Sequence, residues 1–136
     1  KDMIYDKVEE MITMFSLSEA REKKARLLSG GMQRRLSIAM ALITDPEILF
    51  LDEPTLGLDV IARRELWSNI KILKKKTTII LTTHYLEEAE ALSDRVAIIQ
   101  KGRIKAVGTV AEILNQTNTK KLEDAFILLN EEEQTI

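Results

Sequence analysis

Apolar residues recur every three or four positions from the start of the chain. Ile4, Val8, Met11, Ile12 and Phe15 predict an amphipathic helix over residues 2–15. Ser16-Leu17-Ser18-Glu19 reads as a capping box opening a short, charged second helix. A third helix is expected from Ser29, a good cap, with Met32, Leu36, Ala39, Met40 and Ile43 on its inner face. Asp45-Pro46 ends it, because the residue before proline is pushed out of helical backbone. The period then changes. Ile48 to Leu51 is a continuous apolar run, too short for a helix and typical of a strand buried on both faces.

Pro54 to Leu58 carries Gly57 and reads as a turn, after which Asp59 caps a helix to about Leu73, with Ile61, Leu66, Ile70 and Leu73 inward. Thr77 to Thr82 is β-branched and predicts a second buried strand. Residues 85–93 form a short acidic helix and Arg95 to Gln100 a third strand. Lys101-Gly102 is a two-residue hairpin turn that returns as Arg103 to Val107. Thr109-Val110-Ala111-Glu112 is another capping box, starting a helix that fades in the polar stretch Asn115 to Thr119. Leu122 to Leu129 makes a last helix, and Glu131 to Ile136 reads as frayed.

Strand, helix, strand, helix, strand in mid-chain predicts an α/β fold with parallel pairing and right-handed crossovers. Ligands collect at the carboxyl ends of such strands. Asp52, Glu53 and His84 all lie there. Residues 1 to about 44 carry no strand and form a separate helical layer.

Composition narrows the chemistry. The 136 residues suit one domain; 45% are apolar, 31% charged, and the net charge is −2. That balance gives no electrostatic case for nucleic acid or an anionic membrane as main partner. Without cysteine there are no disulfides or thiolate metal sites, and a single histidine excludes multi-histidine zinc sites. No apolar run approaches the roughly 20 residues of a membrane-spanning helix.

Three places carry candidate chemistry. Asp52 ends a buried strand, where one rigid carboxylate suffices for magnesium, which keeps most of its waters. Glu53 follows on the other side of the strand end and can orient a water for in-line attack on a γ-phosphate. An acid pair can also simply terminate a strand. Ser29-Gly30-Gly31 opens a helix, where free amides and the helix dipole favour a phosphate oxygen; it can equally be a capped helix after a flexible turn. His84 can donate to a phosphate oxygen and hold the attacking water, although a lone histidine is more often structural.

As a set, these residues resemble the second half of an ABC transporter ATPase, from about Leu27 to Gly108. Leu28-Ser29-Gly30-Gly31-Met32 resembles that family's signature sequence, and Ile48 to Glu53 its Walker B strand and catalytic glutamate. Gly57-Leu58-Asp59 resembles the loop that crosses the dimer interface, and His84 the switch histidine. Met32 stands where the family usually has glutamine, a variant that resembles drug or lipid exporter subunits.

The resemblance implies a three-layer α/β, P-loop NTPase-like half-domain with parallel strands and part of the helical subdomain. It divides into a signature-bearing helical portion (1–44), an ATPase core portion (45–115) and a helical extension (116–136). It implies ATP and Mg2+ as cofactors, with Glu53 and His84 catalytic, Asp52 on the metal, and Ser29, Gly30, Gly31, Met32 and Asp59 at the nucleotide. The partners it implies are a transmembrane permease and a second ATPase subunit in a head-to-tail dimer, at the cytoplasmic face of the membrane.

No Gly-x-x-x-x-Gly-Lys-Ser/Thr phosphate loop occurs in these residues. In the family that loop, and the glutamine loop that senses the permease, precede the segment seen here. The expectation is therefore an inactive piece of an active ATPase. Two other readings compete: a soluble ABC ATPase acting on ribosomes or DNA, and a non-catalytic interaction module. The first usually has Asn-His where this chain has Leu56-Gly57; the second leaves Asp52, Glu53 and His84 unexplained.

Overall fold

The computed structural model describes residues 2–131, which divide after Thr82 into two units. The first unit opens with α1 (Asp2–Met14), as its spacing predicts. Met11 and Phe15 are buried, whereas Ile4 is 67% exposed. The helix ends because Ser16 turns left-handed (φ 53°), letting Leu17 N–H reach Ile12 O at 2.9 Å and Ser16 N–H reach Thr13 O at 3.1 Å. That is the paired-bond stop usually built on glycine, and buried Leu17 completes it. The capping box expected at Ser16–Glu19 is therefore absent. Ser16 is spent ending α1, and the second helix shrinks to two single 3-10 turns, Ser18–Ala20 and Ala25–Leu27, neither with a side-chain cap.

Helix α2 (Gly30–Leu42) starts where Ser29 predicts, with Ser29 Oγ accepting from Met32 N–H at 3.3 Å. Its buried residues are Ile38, Ala39 and Leu42; Met40 and Ile43, expected inside, are exposed. The helix stops before Asp45, which takes a left-handed φ of 48° ahead of Pro46. Strands β1 (Ile48–Asp52) and β2 (Thr78–Thr82) pair in parallel, from Ile48 opposite Thr78 to Asp52 opposite Thr82. Burial on both faces of β1 does not hold among the described residues. Leu49 and Leu51 are buried, while Ile48 and Phe50 are exposed, Phe50 at 72%, so the pleat separates a covered face from an open one.

Between the strands lies α3 (Val60–Leu73), capped by Asp59, whose Oδ1 accepts from Ala62 N–H at 2.8 Å. Leu66, Ile70 and Leu73 are buried as expected; Ile61, in the first turn, is 74% exposed. Arg35 on α2 donates to Phe15 O at 3.3 Å and to Glu65 Oε2 at 2.9 Å, tying three helical segments of this unit together.

The second unit holds α4 (Leu86–Leu92), β3 (Val96–Gln100), β4 (Arg103–Gly108), α5 (Val110–Thr117) and α6 (Leu122–Glu131). The third strand does not extend the parallel series. β3 pairs antiparallel with β4, as its two-residue turn dictates, with Lys101 and Gly102 both at positive φ (47° and 75°). Ile98, Ala106, Ile113, Leu122, Ala125 and Leu129 form its core. The fraying expected beyond Glu131 falls on residues outside the described ones.

Thr109 caps α5 through the reciprocal box its sequence predicts: Thr109 Oγ1 accepts from Glu112 N–H at 3.2 Å, and Glu112 Oε2 from Thr109 N–H at 2.7 Å. A side chain at Gly108 would put its Cβ 2.7 Å from Glu112 Oε2, so glycine leaves room for this exchange. The Thr109 amide holds the Glu112 carboxyl below its ordinary pKa. Because the folded value is depressed, the contribution is present above the unfolded pKa and lost as pH falls through the folded one. Thr109→Ala is expected to cost about 1 kcal/mol. Denaturant melts at neutral pH should show that loss, and melts of Glu112→Ala, which removes the carboxylate held by the Thr109 amide, should show a difference from the unaltered chain that shrinks near pH 3; a pH-independent Glu112→Ala difference would contradict the box.

Candidate functional site

The first unit gathers most of the candidate residues through the end of β1. Asp52 is its last residue, exposed, with Oδ1 accepting from the Thr82 hydroxyl at 2.5 Å. Glu53 turns left-handed (φ 47°), a region that costs a non-glycine residue roughly 1–2 kcal/mol. The surroundings hold it there. Its N–H donates to Thr82 O at 3.0 Å and to Thr82 Oγ1 at 3.2 Å, and its carbonyl accepts from Arg34 Nη2 at 3.2 Å and from Leu56 N–H at 3.1 Å. The turn that follows needs Gly57, at φ 77°.

Ser29, Gly30 and Gly31 sit at the start of the thirteen-residue α2. The Ser29 oxygen already caps the helix, but its own proton remains to be given to an anion. Nothing lies within 4 Å of a Cβ built on Gly30, so an oxygen could approach its backbone; a Cβ on Gly31 would touch Leu58 and Ala62, each at 3.6 Å. The start of α2 thus packs beside the Asp59 loop, and its second turn reaches Glu53 through Arg34. Met32 is half-buried, and Gln33 folds back onto Leu28 O at 3.1 Å. The Asp59 carboxylate caps α3.

His84 lies in the second unit, exposed, its ring 4.2 Å from that of Tyr85. The structure adds Arg34 and Thr82 to the site. Thr82 carried one available signal, its place directly before Thr83-His84 at the end of a predicted strand; Arg34 carried none.

Magnesium fits this arrangement in one respect. Among the described residues no group of three or more His, Asp or Glu could hold a metal unaided. Asp52, exposed at the end of β1, can offer one carboxylate to an ion that brings phosphate oxygens and water with it. No helix of the described residues is long and apolar enough to cross a membrane.

Comparisons with known proteins give one consistent likeness. The family model described as ABC transporter matches residues 4–56. The chain is 48% identical over 112 residues to "ABC transporter A family member 2" of Arabidopsis thaliana, covering 82% of this chain and 11% of that protein. It is 43% identical over 118 residues to "Daunorubicin resistance ATP-binding protein DrrA3" of Streptomyces coeruleorubidus, covering 86% of this chain and 37% of the other. A solved "ATP binding subunit of ABC transporter" superposes with a TM-score of 0.83 at 28% identity, covering 96% of this chain and 55% of that one. The chain thus spans only part of the length of each relative.

Proposed function

We infer, because the chain belongs to the ABC transporter family of ATP-binding domains, that it takes part in the ATP binding and hydrolysis that power transport across a membrane. The observation that carries this reading is the clamped end of β1, where Asp52 and Glu53 stand side by side with the start of α2 tied to them by Arg34. Bound Mg2+ would neutralise phosphate charge beside Asp52. Ser29 and the first amides of α2 would hold phosphate oxygens of a nucleotide seated on a second, head-to-tail subunit. Glu53 would orient the attacking water, and His84 would donate to a γ-phosphate oxygen.

Residues 1–44 would then be the signature-bearing helical portion, 45–115 the ATPase core portion and 116–136 a helical extension. A transmembrane permease at the cytoplasmic face is the partner, and similarity to the plant A-family member and DrrA3 supports an exporter type.

These 136 residues contain no phosphate loop, whose lysine and amides supply much of the positioning that phosphoryl transfer needs. On their own they are expected to show no saturable MgATP binding in calorimetry and no turnover above blank, while the complete protein hydrolyses ATP. Tight, saturable binding by the 136 residues would mean that the nucleotide site has been misplaced.

A further inference from the structure

The parallel register sets Asp52 directly beside Thr82. A threonine hydroxyl has one proton to give. Thr82 gives it to Asp52 Oδ1, at 2.5 Å, and accepts the Glu53 N–H at 3.2 Å, an amide shared with the Thr82 carbonyl at 3.0 Å. The chain of bonds therefore has a direction, from the Glu53 amide through the Thr82 hydroxyl to the Asp52 carboxylate. Bonds in such a series polarise one another. Asp52 and Glu53 are neighbours in sequence, yet the group that joins them comes from another strand, thirty residues on.

We propose that Thr82 is a positioning residue of this site: its hydroxyl fixes the Asp52 carboxylate and the Glu53 peptide relative to each other. One group on β2 thereby sets both the acid that faces the metal and the acid that orients water. The proposal rests on the functional reading above. Serine keeps the hydroxyl and should keep the role; valine keeps the branched shape that suits a strand and removes it.

The test compares Thr82→Val with Thr82→Ser. In the 136-residue chain, amide exchange at Glu53, followed by NMR, should quicken about threefold in the valine variant, because the backbone carbonyl at position 82 still accepts that amide and only the longer branch is lost. It should keep the unaltered rate in the serine variant. In the complete protein, Thr82→Val should raise the half-saturating Mg2+ concentration and lower kcat, each about tenfold, with KM for ATP at saturating Mg2+ unchanged. Thr82→Ser should restore both.

Unchanged exchange and unchanged Mg2+ dependence in Thr82→Val would overturn the proposal, as would a serine variant no better than the valine one. A melt followed by circular dichroism reports folding; Thr82→Ala replaces the valine variant if that one unfolds. A complete wild-type protein without Mg2+-dependent hydrolysis would defeat the functional reading instead, and the exchange measurement would still judge the hydroxyl link.

Discussion

Glu53→Gln in the complete protein is expected to bind ATP and lose most of its turnover. The two side chains have the same length and shape, so the clamp on the Glu53 peptide by Thr82 and Arg34 has no reason to open. What changes is the carboxylate. An amide cannot draw a proton from the attacking water, and a positioned acid–base group of this kind contributes on the order of 10²–10⁴ in rate. Steady-state hydrolysis beside equilibrium nucleotide binding separates the two effects. A glutamine variant with full activity would take the water-orienting role away from Glu53.

Phe15→Ala should remove a large part of the fold's stability. Phe15 is fully buried beyond the end of α1, and its carbonyl receives Arg35 from α2. Large-to-small changes of a buried aromatic cost about 3–5 kcal/mol, against a total of about 5–15 kcal/mol for ordinary domains. Urea titration should show a marked fall in midpoint. Met40→Ala, at a residue expected inside but found 63% exposed, should leave the midpoint nearly where it was.

The features legible in the sequence are those decided within a few residues. Ser29, Asp59 and Thr109 cap helices where their positions say, because a cap needs only a short polar side chain and the amides two or three places on. The Lys101-Gly102 hairpin and the parallel β1–β2 pair are equally local or pattern-driven. Ser16 shows where local reading fails. The same residue can open one helix or close another, and burial of Leu17 decided for closing. Helix facing is similarly tertiary: spacing marks an apolar stripe, but which edge of it is covered depends on the neighbours. That is why Ile61 lies outside and Ile38 inside.

At the site, the acids, the serine and the glycines could be picked out from their order alone. Their connections could not. The Thr82 hydroxyl finds Asp52 only because the register is Ile48 with Thr78 and not one step away, and a slip of one residue would turn it to the other face. The reach of Arg34 to the Glu53 carbonyl likewise depends on how α2 lies against the strand end.

The left-handed backbone at Glu53 also bears on how this position can drift over evolutionary time. Glycine tolerates that conformation freely, and asparagine and aspartate adopt it more readily than most residues, whereas a β-branched side chain is a steric outlier there. A descendant that abandons hydrolysis while keeping the fold would be channelled toward glycine, asparagine or aspartate. Valine or isoleucine at the same place would exact a folding penalty as well. The dihedral angle thus acts as a filter on which inactive forms of this protein can survive at all.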